Sequence, residues 1–61
     1  MKVTEFFSED KTRTGVVYKR EQGYEVELYK DHIHVRTIKL HDKSIYYAED
    51  AAENWTLGIL V

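Results

Sequence analysis

The chain has no cysteine and no proline, only three glycines, and no excess of positive charge. Without cysteine there is no disulfide and no thiolate metal site to staple the fold. No apolar run approaches the ~20 residues that span a bilayer as a helix. Lys2 is followed by neither an apolar stretch nor a small-residue cleavage site, so the reading is a soluble, cytoplasmic protein without membrane contact. The formal net charge is −2, with nine Lys and Arg against eleven Asp and Glu. That balance disfavours a free-standing nucleic-acid binder, whose non-specific affinity comes from neutralising phosphate. A glycine-rich phosphate loop, a Ser/His/Asp signature and EF-hand spacing are all missing, and with them the common catalytic and nucleotide-binding motifs.

What remains is one domain of 61 residues. A chain of this size buries only roughly 60% of the surface its unfolded form exposes, so its stability alone is marginal. Packing, a non-thiolate metal or self-association must supply the rest, and a homodimer is the expectation. No cofactor is implied.

The last third carries the clearest helix. From Ala48, small or apolar residues fall at 48, 51, 52, 55 and 59, one face of a 3.6-residue period, with Glu49, Asp50, Glu53 and Asn54 between them. Three alanines beside Trp55 describe a helix lying close on a flat partner. Ser44 or a position near Tyr47 starts it, Gly58 ends it, and the helical region is bounded at residues 44–60. Glu49, Asp50 and Glu53 read as early-helix carboxylates complementing the dipole, rather than as an acid and base pair.

Since nothing upstream reads as a helix, the partner must be a sheet. Val16 to Lys19 and Tyr24 to Tyr29 alternate as strands. Pairing Arg20 with Tyr24 makes Glu21-Gln22-Gly23 a three-residue turn with glycine at its left-handed position. It sets Tyr18 opposite Val26, Val16 opposite Leu28, and Lys19 opposite Glu25 on the other face. Asp31-His32 is the next turn, leading into Ile33–Leu40, where Leu28 meets Val35 and Glu27 meets Arg36. The phase then slips, and a bulge near Thr37 or a partly apolar outer face would account for it. Residues 1–13 are an arm, or an extra strand followed by a loop, with at least one of Phe6 and Phe7 docked. Ser8 to Thr14 is polar throughout. The fold expected is α+β: an antiparallel meander sheet of three strands (residues 14–40), or four with the N-terminal segment, and one C-terminal helix packed on one face. Its expected core is Val16, Tyr18, Val26, Leu28, Val35, Ala51, Ala52 and Trp55.

Five tyrosines, two phenylalanines and one tryptophan are more aromatic surface than a small domain ordinarily carries. In this register Val17, Tyr29 and Ile38, with Arg36 beside them, form an exposed apolar set framed by charge, as contact sites are. The expected function is therefore a non-catalytic module that binds a protein partner. The alternative is a nucleic-acid-associated regulator using Lys19, Arg36 and Lys39, against which Glu25 and Glu27 stand in the middle of the surface. His32 and His34, two apart, with His41 beyond, have the spacing of a zinc pair but no third ligand, and read as surface histidines near turns.

Two resemblances follow from these segments. The strand order and Ala48-Glu-Asp-Ala-Ala-Glu-Asn-Trp55 resemble the β-β-β-α arrangement of plant ethylene-response-factor DNA-binding domains, and of small antitoxin domains that pair with RNA-cleaving toxins. Neither family's sequence signature is present, and no binding residue carries over. Thr14-Gly-Val-Val-Tyr18, Gly23-Tyr-Glu-Val26 and Tyr47-Ala-Glu-Asp-Ala-Ala-Glu-Asn-Trp-Thr-Leu-Gly58 are similar to small accessory proteins of tailed phages infecting marine cyanobacteria. That likeness implies a phage accessory protein in the host cytoplasm and assigns it no activity.

Overall fold

Three turns cut the first forty residues into four strands, and the alanine-rich segment closes over them. The computed structural model describes residues 1–59. It contains β1 (Lys2–Phe7), β2 (Arg13–Arg20), β3 (Gly23–Lys30), β4 (Ile33–Leu40) and α1 (Ile45–Thr56). The strands form one antiparallel sheet in the order β1-β2-β3-β4, and α1 packs against β1, β2 and β3. The class is α+β, and the N-terminal segment is the fourth strand. Leu60, the end of the expected helical region, lies outside the described residues.

Helix α1 begins where Ser44, in extended conformation, caps it by accepting the Tyr47 N–H on Oγ at 3.4 Å. It ends at Gly58, whose φ of 84° is left-handed. There the Gly58 N–H reaches the Trp55 carbonyl at 3.1 Å and the Ile59 N–H reaches Asn54 at 2.8 Å, which satisfies two of the last carbonyls. Ala48, Ala51, Ala52 and Trp55 are buried as the periodicity requires. The first turn holds no carboxylate, so the dipole does not account for Glu49, Asp50 and Glu53.

The helix sits on glycine. A Cβ on Gly15 would lie 2.7 Å from the Ala52 carbonyl oxygen and 2.9 Å from the Ala52 Cβ. Only a strand position without a side chain, facing a helix position with a methyl, allows that approach. Around it Val17, Val26, Leu28 and Leu40 join the helix residues in the core, with Phe6, Tyr24 and Ile38 packed against them. The Trp55 indole donates to the Tyr29 carbonyl at 2.9 Å, so its one polar atom is satisfied. The Arg13 guanidinium lies 4.5 Å from the centre of the Trp55 ring.

Two registers differ from those expected. Arg20 pairs with Gly23, not Tyr24, so the β2–β3 turn is Glu21-Gln22 and each β2 residue faces one partner earlier. A shift of one residue exchanges faces. Val17, fully buried, is therefore under the helix, whereas Val16 and Tyr18 point to the opposite side. Gly23 has a φ of 136°, but it opens β3 rather than closing the turn. A Cβ there would lie 2.7 Å from the His41 Cα, so glycine is required by the passage of the chain leaving β4.

The β3–β4 turn is Asp31-His32 as expected, both residues left-handed with φ of 52° and 67°, the pattern of a two-residue hairpin. Beyond Tyr29↔His34 the register slips to Leu28↔Arg36, which makes Val35 the extra residue of a bulge. Val35 is 52% exposed and not in the core, and Arg36 pairs with Leu28 rather than Glu27. The bulge lies two residues before Thr37.

Strand β2 also begins at Arg13, two residues earlier than the polar run suggests. The loop before it is built on Asp10, whose carboxylate accepts from the Thr12 N–H at 3.1 Å, the Thr12 hydroxyl at 2.8 Å and the Ser8 hydroxyl at 2.8 Å. Those bonds, led by the Thr12 backbone N–H, hold its pKa down at about 2.

The seat of the helix gives a direct test. Gly15→Ala forces a methyl against backbone and is expected to destabilise the fold by about 1–3 kcal/mol, the usual cost of overpacking. Thermal melts followed by circular dichroism should then fall by at least about 4 °C. An unchanged melting temperature would show that α1 is not held at this distance.

Candidate functional site

With odd-numbered β2 residues under the helix, the other face of the sheet carries Glu5 and Phe7 from β1, Thr14, Val16 and Tyr18 from β2, and Glu25, Glu27 and Tyr29 from β3. His34, Thr37 and Lys39 of β4 complete it. No element covers this open face among the described residues.

Its aromatic side chains stand around one valine. Val16 is buried although no helix lies over it, and it floors a concavity of about 370 Å³ whose walls include Phe7, Tyr18, Tyr29 and Glu5. Phe7 is 57% exposed at the rim. Lys11 and His32 reach the same concavity from the loops at that end.

The tyrosines are fixed by their neighbours. The Tyr29 hydroxyl donates to Glu27 Oε1 at 2.6 Å, and its ring meets His34 edge-on with centroids 5.5 Å apart. The bond to Glu27, with burial and the nearby carboxylate charge behind it, pushes the Tyr29 pKa up to about 12. Arg20 lies 4.6 Å from the centre of the Tyr18 ring while its Nε donates to Glu25 Oε1 at 3.2 Å. Lys2 pairs with Glu5 at 2.7 Å, and His34 Nε2 and Thr37 Oγ1 are 2.8 Å apart. The face is thus a rigid aromatic platform crossed by carboxylates already engaged with neighbours.

The residues expected to form one contact surface are divided by these registers. Tyr29 lies on the open face. Val17 is inside the core. Arg36 and Ile38 are turned to the helix side by the bulge, into a groove of about 270 Å³ between β4 and α1 that Leu40, Tyr47, Asp50 and Asn54 also line. The three basic residues of the nucleic-acid alternative are likewise separated. Lys39 is on the open face, and Lys19 and Arg36 are on the helix side, with β3 between their strands. Phe7, Val16 and Tyr18 were not anticipated on the open face. The signal for them was Gly15 beside an alanine helix, which requires odd β2 positions to face inward.

No buried side-chain polar atom lacks a partner among the described residues. Among those residues, no group of three His, Asp or Glu side chains is placed to hold a metal ion, and no helix is long and apolar enough to cross a membrane. No protein-family model, curated protein or solved structure matches the chain.

The Tyr29–Glu27 bond has a measurable consequence. A phenol whose pKa is raised on folding contributes stability that is complete below its unfolded pKa near 10, and that is lost as pH rises through about 12. Absorbance titration at 295 nm should show a tyrosine that ionises near pH 12. Tyr29→Phe should remove it and flatten the loss of stability between pH 10 and 12. A titration curve whose alkaline end is unchanged in Tyr29→Phe would mean the bond is absent in solution.

Proposed function

We propose that the protein is a non-catalytic interaction module that binds a protein partner through the open face of its sheet. The observation behind this reading is the clustering of Phe7, Tyr18 and Tyr29 around Val16 on the face that α1 leaves bare. Apolar surface framed by charge, here Glu5, Glu25, Glu27, Arg20 and Lys39, is characteristic of contact sites. Aromatic anchors contribute most of the energy of such contacts, because they bury large area and lose little conformational freedom. Tyr18 and Tyr29 are already held by Arg20 and Glu27, so little ordering remains to oppose binding.

The chemistry of the face disfavours phosphate as the ligand. Glu25 and Glu27 stand on its third strand, and the basic groups beside Glu25 are spoken for, Arg20 by an ion pair with it and Lys39 by standing directly opposite it. A protein surface with its own basic and apolar groups is the better complement. The resemblance to phage accessory proteins would put such a partner in the host cytoplasm.

Tagged protein should capture a near-stoichiometric partner from bacterial host lysate, identified by mass spectrometry and retained after nuclease treatment. Phe7→Lys alters only an exposed rim residue and should reduce capture at least about tenfold, the loss of one anchor. Capture that survives Phe7→Lys unchanged, or disappears with nuclease, would overturn the reading.

A further inference from the structure

A four-stranded sheet spans about 15 Å between its edge strands, whereas one helix is about 10 Å across. Helix α1 therefore covers β1 to β3 and reaches β4 only at its far end, where Leu40 is buried, leaving Ile33 and Arg36 exposed on the helix side. Strand β4 is at the edge of the sheet, so among the described residues no strand pairs with its outer side. We propose that this edge pairs with the β4 of a second copy, antiparallel, to make a continuous eight-stranded sheet with Ile38 on the two-fold axis.

The occupant and the register follow from β4 itself. The bulge at Val35 interrupts regular pairing, which leaves Arg36–Leu40 as the regular stretch of the edge. In an antiparallel pair about a two-fold axis, directly opposite residues must belong to the same face, so the axis passes through a residue rather than between two. Centring on Arg36 or on Lys39 would set like charges opposite one another, which is destabilising. Centring on Thr37 would push Lys39 against the partner's bulge, and centring on Leu40 would pair almost nothing. Ile38 remains, and it is the midpoint of the regular stretch.

That register gives every residue of the regular stretch a partner on its own face. Ile38 meets its own copy on the helix side, a β-branched apolar pair, with Arg36 beside Leu40 of the partner subunit. On the open side Thr37 faces Lys39 of the partner subunit. No two like charges oppose. The two grooves beside Ile38, each walled by Tyr47 of α1, join into one trough along the axis. Tyr47, an exposed aromatic at the start of α1, flanks this seam. A second copy is the partner that satisfies all of this with the residues at hand. It also supplies the additional burial that a chain of this size needs. The seam is distinct from the open face, so the two proposals stand or fall separately.

Sedimentation equilibrium of the native chain across micromolar to millimolar concentration should give a mass twice 7.3 kDa. Because the chain has no cysteine, a single introduced thiol can cross-link only to another copy. Ile38→Cys should form a disulfide dimer under mild oxidation at least about tenfold faster than Arg36→Cys, since Cα atoms of opposite residues are about 4.5–5.5 Å apart while those four residues out of step are far beyond disulfide reach. A monomer at all concentrations overturns the proposal. So does a dimer in which Arg36→Cys, or Phe7→Cys on the open face, cross-links as fast as Ile38→Cys.

Discussion

The distance between Gly15 and Ala52 sets the rest of the structure. At this one point a strand backbone and a helix backbone touch with nothing but a methyl between them. Once α1 is that close, its neighbouring positions must be small, which is why Ala48 and Ala51 flank the contact. A larger side chain fits only where the helix has run toward the end of the sheet, and Trp55 occupies that place, with its N–H on the Tyr29 carbonyl and Arg13 over its ring. The same contact dictates which way β2 faces. With Gly15 beneath the helix, Val17 must be buried and Val16 must look away.

How far the fold was legible follows from how ambiguous each strand is. Helix α1 was legible because three alanines and a tryptophan at helical spacing admit one face. Strand β3 was legible because Tyr24, Val26 and Leu28 alternate strictly with Glu25, Glu27 and a tyrosine. Strand β2 was not, since Val16, Val17 and Tyr18 are apolar on both faces and tolerate either register. The decision there rested on Gly23 as a turn residue, whereas its absent side chain makes room for His41. Strand β4 was read correctly at Asp31-His32, and its broken alternation signalled a bulge near Thr37 as one of two explanations, but alternation could not place the inserted residue at Val35 and so mispaired Val35 and Arg36.

The candidate site inherits this pattern. Tyr29 kept its face because β3 was unambiguous. Val17 lost its surface to the helix, and Phe7, Val16 and Tyr18 took it over. Arg36 and Ile38 moved to the opposite side of the sheet. The aromatic richness of the composition was a sound indication of where excess apolar surface exists, although the composition could not say which face would carry it. The tyrosine ring on a strand can serve either side of a sheet, since its hydroxyl finds a partner wherever a carboxylate is near, as Glu27 shows.

One inserted residue thus separates the two surfaces of the molecule. Without the bulge, Val35 would enter the core opposite Leu28, and Arg36 would stand on the open face against Glu27. Ile38 would stand there too, making that face more apolar, while Lys39 would turn to the helix side. With it, the open face keeps Thr37 and Lys39 in those columns and remains centred on Val16, while the apolar Ile38 is delivered to the groove beside α1. Bulges are a common means of blunting a strand edge against unwanted pairing. Here the turn-proximal half of β4 is blunted and the half beside the helix stays regular. An edge protected over part of its length restricts pairing to one register, and so favours a single partner geometry over open-ended association.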